Sequence, residues 1–137
     1  MAELLALGSD LNIKIFACNF RINGILNDDV EEANYLNKSI YEALSVAHGT
    51  KPVTDLPMFL SSTVFAVKEY GQCVQHYKRR LGLETDSAQD LFVLRNVVMS
   101  PFQTAGNFVQ EIAGVFRGVL EKKLKVRTIP SSGRTKC

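Results

Sequence analysis

Apolar residues recur every three or four positions over most of this chain, which is the spacing of one-faced helices. The longest such stretch runs from residue 55 to residue 81. Its first half, Leu56 to Val67, is apolar on nearly every side, a pattern typical of a buried helix. In its second half only one side stays apolar. The pattern predicts one long helix, 55–81, that starts inside a core and ends in solvent, with Gly82 as its stop.

Three further helices follow from the same spacing combined with end signals. The first is 28–48, which begins at an acidic run and ends at His48-Gly49. The second is 87–99, which starts at a Ser-x-x-Asp sequence that resembles a capping box. The third is 101–124, which is opened by Ser100-Pro101. These helices are expected to pack around the long one.

The N-terminal part follows a different period. Apolar and polar residues alternate across 11–22, which predicts a strand, and the alternation shifts phase near Asn19, as at a bulge or in a strand covered on both faces. Asn23-Gly24 then predicts a turn. A second short strand is expected at 125–129, pairing with 11–22.

The expected fold class is mainly α: a four-helix bundle-like domain with a small N-terminal strand or hairpin element. A chain of 137 residues with 46% hydrophobic and 22% charged residues has the composition of an ordinary globular protein. We expect a single helical domain over 1–129. The last residues, 130–137, hold too few apolar groups to offset the entropy of ordering, so a flexible basic tail is expected there.

Features that the sequence lacks indicate where the protein is located and whether its cysteines form disulfides. No apolar run approaches the length of a membrane helix, and the N-terminus does not resemble a secretory signal. Cys18, Cys73 and Cys137 are odd in number and widely spaced, which indicates neither a disulfide framework nor a zinc site. We expect an intracellular and soluble protein, cytoplasmic rather than secreted.

Two constellations could carry chemistry. Cys73 and His76 lie three residues apart and would share a helix face, as a nucleophile with its base or as two metal ligands. An exposed amphipathic face explains them better, because no orienting carboxylate or further ligand lies nearby in sequence. The acidic run Asp28, Asp29, Glu31, Glu32 could bind a hard cation, but electrostatics at a helix start explain it better. The sequence therefore predicts a non-enzyme with no catalytic residue, metal, cofactor or small-molecule substrate.

Charge is unevenly distributed along the chain. Residues 1–68 carry five basic and eight acidic groups, whereas residues 69–137 carry eleven basic and six acidic groups. A basic C-terminal region of this kind can bind the phosphates of RNA or DNA, can bind an acidic protein partner, or can simply be solvated. The residues concerned are Arg117, Lys122, Lys123, Lys125, Arg127, Arg134 and Lys136.

Small residues form a row on the last predicted helix. They are Gly106, Ala113, Gly114 and Gly118. Each glycine costs a helix about 1 kcal/mol relative to alanine, so the row indicates close approach of another helix. That helix would belong either to the same chain, such as 55–81, or to another subunit.

Taken together, these features favour a non-enzymatic helical assembly subunit that self-associates or docks into a larger complex. The alternative is a nucleic-acid-binding component, of the packaging or ribonucleoprotein kind, that uses the basic C-terminal region. A Cys-His enzyme is a third and weaker hypothesis.

Overall fold

A computed structural model describes residues 13–45, 58, 60–97 and 106–128 of the chain. In chain order the elements are β1 (Ile13–Phe16), β2 (Arg21–Ile22), β3 (Ile25–Leu26), α1 (Val30–Ala43), β4 (Ser61–Phe65), α2 (Val67–Tyr70), α3 (Gln72–Leu81), β5 (Leu91–Val97) and α4 (Phe108–Thr128). The fold is mixed α/β. The mainly α, four-helix bundle-like architecture expected from the sequence is wrong, because two of its four helical stretches contain strands.

An antiparallel sheet of three strands, in the order β1-β5-β4, forms the centre of the fold. The middle strand β5 pairs on one side with β1, with Phe16 opposite Leu94, and on the other side with β4, with Phe65 opposite Leu91. Helices pack against both faces of β5. Leu91, Val93 and Leu94 are consequently shielded completely from solvent.

Two apolar clusters lie on opposite faces of this sheet. On one face, Leu94 packs with Leu36, Ile40 and Leu44 of α1, and side chains of α4 cover the cluster. On the other face, Leu91 and Val93 pack with Val74 of α3, with Leu83, and with the first turns of α1. Burial of these side chains is the main favourable contribution to folding.

Two asparagines of α1 complete the hydrogen bonding where β1 and β5 separate. The strand register, continued by two residues past Phe16, would place Cys18 opposite Phe92. Instead, Asn37 Oδ1 accepts from Cys18 N at 2.7 Å and its Nδ2 donates to Cys18 O at 2.8 Å. Asn34 does the same for β5, because it accepts from Phe92 N at 2.7 Å and donates to Asp90 O at 2.8 Å. The two side-chain amides thus replace the missing strand partner.

Local signals in the sequence gave three correct predictions. The helix expected at 28–48 is confirmed from Val30 to Ala43, with Asp29 as the N-cap that accepts from Glu31 N and Glu32 N. Asn23-Gly24 forms the expected turn with φ of 51° and 83°, which is typical of a two-residue hairpin. Gly82 ends α3 in the left-handed conformation. The end expected at residue 48 is wrong, because the helix ends at Ala43 with Leu44 as its C-cap; His48 and Gly49 themselves lie outside the described residues.

The long helix expected at 55–81 is wrong. Ser61–Phe65 is a strand at the edge of the sheet, and the helices that follow are divided by Gly71 at φ 50°. Of the stretch 56–67 that was expected to be a buried helix, Leu60 is buried next to Leu44, whose carbonyl accepts from Leu60 N. The apolar character of this stretch reflects burial, but the backbone is largely extended.

The remaining elements also need correction. The helix expected at 87–99 is the central strand Leu91–Val97. The strand expected at 11–22 ends at Phe16, and Arg21–Ile22 belongs to a separate hairpin. The strand expected at 125–129 is wrong over residues 125–128, which belong to α4. The expected pairing of this strand with β1 is replaced by the pairing of β1 with β5. The helix expected at 101–124 begins only at Phe108, because Gly106 and Asn107 form a turn before it. Residues 101–105 and the tail 130–137 lie outside the described residues.

Candidate functional site

The loop that joins α3 to β5 is held in place by two buried side chains of α3. Gln75 Nε2 donates to Ser87 O at 3.1 Å, and Gln75 Oε1 accepts from Asp86 N at 3.0 Å. Lys78 Nζ donates to the same Ser87 carbonyl at 2.9 Å. These bonds fix a loop in which Asp86 has a φ of 64°, a conformation that non-glycine residues rarely adopt.

The same loop meets the N-terminus of α1 and encloses a cleft with it. Glu84 N donates to Asp28 O at 2.7 Å, which joins the two segments. The cleft has a volume of about 660 Å³, and we call it the acidic cleft. Its lining residues are Asp28, Asp29, Glu31, Glu84, Ser87 and Gln89.

Lys78 is the charged side chain of α3 that contacts this loop. Its side chain is fully buried. Burial lowers the pKa of Lys78, while the carboxylates of Asp90, Glu84 and Asp86 act in the opposite direction and favour its charged form. The ammonium group thus donates to the Ser87 carbonyl of the loop. The loop and the start of α1 carry the acidic side chains that line the cleft.

One carboxylate of the acidic cleft is already engaged in capping α1. Asp29 Oδ1 already accepts from two backbone N–H groups of α1, at 2.7 and 3.2 Å. No set of three or more His, Cys, Asp or Glu side chains within the described ranges is arranged to hold a metal ion. A carboxylate-lined surface of this kind attracts cations by charge alone.

Cys73 and His76 lie together on the solvent side of α3, as their spacing predicts, and both are exposed. Cys73 is a free cysteine, and so is Cys18. Cys18 is mostly buried beside α1, and this burial raises the pKa of its thiol to about 11. A thiol with a raised pKa is a poor nucleophile at neutral pH, so Cys18 has a structural environment.

Only some basic residues of the C-terminal region lie within the described part of the chain. Arg117, Lys122 and Lys125 are exposed on α4, and Lys123 is half-buried. Glu121 is exposed too and lies four residues from both Arg117 and Lys125, so this face of the helix has mixed charge. Arg127 belongs to the last turn of α4, and Arg134 and Lys136 lie outside the described residues. Binding of nucleic acid or of an acidic partner by this region stays a prediction.

The row of small residues does not contact another helix of the described chain. Gly106 lies before α4 with a φ of 58°, and Ala113 and Gly114 are exposed. A methyl group added at Gly114 or Gly118 would meet no atom of the described structure within 4 Å. The expected packing of this row against a helix of the same chain stays a prediction. The side chains through which α4 packs on the α1 side of the core are Phe116, Val119 and Leu120. Packing against another subunit stays a prediction.

Only part of the acidic cleft could be predicted from the sequence. The run at Asp28 to Glu32 was noted as a helix start, but Glu84 joins it through a tertiary contact. Lys78 is fully buried, unlike its exposed neighbours Arg79 and Arg80. Its position four residues after Val74, on the buried side of the helix, was the available signal.

Comparison with known protein families gives a match over most of the chain. The family model described as "Tyrosine decarboxylase, C-terminal" matches residues 8–124, which is most of the chain. A search of curated proteins finds no match. Within the part of the chain that the structure describes, no helix has both the length and the apolar composition needed to cross a membrane.

Proposed function

Because the chain belongs to the tyrosine decarboxylase C-terminal family, we propose that it acts as the non-catalytic C-terminal domain of a decarboxylase of this type. In this role it docks onto the catalytic region and stabilises it. The match over residues 8–124 is the observation that carries the proposal, since it spans the sheet and α1 to α3 and most of α4.

The chemistry of the described residues supports a role without catalysis. Removal of CO₂ from an amino acid leaves an electron pair on carbon, and pyridoxal phosphate held by a lysine is one group that takes up such a pair. Lys78 does not fit this group. Its Nζ donates to Ser87 O, and the adjoining cleft presents four carboxylate residues that would repel a phosphate. Lys78 and the acidic cleft thus do not form a site for that cofactor.

The proposal keeps the docking role expected from the sequence and names its partner. Several large apolar side chains are exposed on the described surface, among them Ile13, Ile15, Phe108 and Val109. Exposed apolar groups that lie together are typical of surfaces that bind another protein part. A docking domain needs such a surface, whereas it needs no constellation of catalytic groups.

A domain replacement tests the proposal. The C-terminal part of an active tyrosine decarboxylase is exchanged for this chain, aligned over residues 8–124, and tyramine formation from tyrosine is measured. We expect a soluble chimera that retains activity, because the chain supplies the same supporting domain. An insoluble or inactive chimera, beside an active parent, would contradict the proposal.

The non-catalytic part of the proposal has its own control. The purified chain alone, incubated with tyrosine and added pyridoxal phosphate, should form no tyramine above the protein-free background. Tyramine formation that depends on the purified chain, and that is lost in the Lys78→Met variant, would show that the chain is itself a decarboxylase.

A further inference from the structure

The tip of the β2–β3 hairpin is a two-residue turn at the protein surface. Asn23 and Gly24 form this turn with φ of 51° and 83°, and both residues are exposed. A positive φ is a conformation that asparagine adopts more readily than most other residues. The flanking residues Ile22 and Ile25 pair with each other, and they are 58% and 75% exposed. The turn is therefore in contact with water.

The hairpin is fixed at its base but held by few bonds at its tip. Asn27 N donates to Phe20 O at 3.0 Å, and Phe20 is buried. Beyond this base each strand contributes only two residues to the ladder, Arg21–Ile22 and Ile25–Leu26. An exposed ladder of this length has little stability of its own, so the tip opens at a low cost in free energy.

An asparagine followed by glycine can react within the backbone. In the opened turn the backbone nitrogen of Gly24 loses its proton to base and attacks Cγ of the Asn23 side chain. A C–N bond forms, the side-chain nitrogen takes up a proton and leaves as ammonia, and the product is a succinimide ring. Water then opens the ring at either carbonyl and gives aspartate or isoaspartate. Glycine favours the attack because it has no side chain to crowd its nitrogen.

The position of Asn23 distinguishes it from the other asparagines of the chain. Asn23 is the one asparagine in the sequence that is followed by glycine. Four others are also held by the fold, because their side-chain amides donate to backbone carbonyls at 2.7 to 2.9 Å. These four are Asn19, Asn27, Asn34 and Asn37. Their hydrogen bonds must break before their side chains can react.

From these observations we propose that Asn23 is a site of spontaneous deamidation, at which the chain acquires an isoaspartate in the hairpin turn. Isoaspartate carries the main chain through its side-chain carbon, so the turn gains a backbone methylene group and a free carboxylate. A two-residue turn depends on the backbone dihedrals of both its residues, and the longer backbone does not reproduce them. The reaction therefore unpairs Ile22 from Ile25. This inference does not depend on the proposed function.

Storage of the purified full chain at physiological temperature and mildly alkaline pH tests the inference. Trypsin cleaves after Arg21 and Lys38, so Asn23 lies in one peptide with three asparagines that serve as internal controls. These controls are Asn27, Asn34 and Asn37. Tandem mass spectrometry should locate the mass gain of amide-to-carboxylate conversion at Asn23. The rate should rise in proportion to hydroxide concentration, because the attacking nitrogen must lose its proton.

Two variants separate this reaction from other chemical changes. Asn23→Gly removes the reacting amide and keeps a turn sequence that hairpins accept, so the mass gain should disappear while the chain still folds. Gly24→Asn keeps a residue that tolerates positive φ but places a side chain beside the attacking nitrogen, so conversion of Asn23 should slow several-fold. After storage, hydrogen exchange of residues 21–26 should be faster in the wild type and unchanged in Asn23→Gly.

Comparison with the chain unfolded in guanidinium decides whether the native turn permits the reaction. Because the tip opens at low cost, Asn23 in the folded protein should react within about tenfold of its rate in the unfolded chain. If the folded protein keeps Asn23 intact while the unfolded chain is converted, the inference is overturned. Equally fast conversion of Asn34 or Asn37, or equally fast conversion of Asn23 in Gly24→Asn, would also overturn it. Conversion without faster exchange of residues 21–26 would refute the loss of hairpin pairing.

Discussion

Replacement of Asn37 by alanine tests whether the side-chain amides of α1 hold the separated strands together. Asn37 is completely buried, and it makes two hydrogen bonds to the backbone of Cys18 and one to Ala33 O. The Asn37→Ala variant leaves the N–H and C=O of Cys18 without these partners. The carbonyl of Ala33 loses less, because it also lies within the backbone hydrogen bonding of α1.

The magnitude follows from these contacts. Each lost hydrogen bond to a partly buried backbone group costs about 1 to 1.5 kcal/mol, and the space left by the side chain adds a smaller term. We expect the free energy of unfolding to fall by about 3 kcal/mol. For a domain of this size that corresponds to a melting temperature lowered by roughly 10 °C.

Urea denaturation followed by circular dichroism measures this change. Lys38→Ala, at the exposed neighbouring position, is the matched control and should stay within about 0.5 kcal/mol of the wild type. Asn34→Ala should cost less than Asn37→Ala, because Asn34 is only half-buried. If Asn37→Ala unfolds within about 0.5 kcal/mol of the wild type with an unchanged m-value, the amides do not replace the missing strand partner.

Four further predictions concern individual residues. Gly82→Ala should destabilise the chain by about 2 kcal/mol in urea denaturation, because Gly82 has a φ of 74° and an added methyl would collide with Leu26; an unchanged midpoint would contradict this. Asp29→Ala should cost about 1 kcal/mol by the same assay, and Asp29→Asn should recover most of it, since asparagine also caps a helix. Because burial raises the pKa of Cys18 from 9.0 to about 11, the neutral thiol favours the folded state. Its contribution to the free energy of unfolding is fully present below pH 9 and is lost as pH rises through about 11. Cys18→Ala should lack this alkaline loss of roughly 2 to 3 kcal/mol, and a parallel loss in both proteins would refute it. In iodoacetamide labelling with mass spectrometry, the exposed Cys73 should react far faster than Cys18.

The errors in the sequence-based expectations have a common cause. Leu91, Val93 and Leu94 of β5 are buried on both faces of the sheet, and Ser61–Phe65 continues into an apolar stretch. Neither strand therefore shows the clean alternation of a half-buried strand. Short apolar runs match a helical spacing equally well. The β-branched and aromatic residues Thr63, Val64 and Phe65 favoured a strand, and Gly71 inside the expected helix marked a break.

The candidate site was predictable only where its parts are adjacent in sequence. Asp29 and its acidic neighbours mark the start of α1, and this is a local electrostatic effect. Glu84 and Ser87 enter the same cleft because Gln75 and Lys78 bind the loop from α3. No spacing in the sequence encodes that contact.

The amino-acid sequence settles those features whose energy comes from neighbouring residues: the capped helix α1, the Asn23-Gly24 turn and the end of α3 at Gly82. Each depends on backbone preferences and hydrogen bonds within a few positions. Tertiary contacts settle which apolar stretches become strands and which lysine is buried. Pairing of β5 with two strands distant in the chain satisfies its backbone groups and buries both of its faces, and this combined gain outweighs any local preference for a helix.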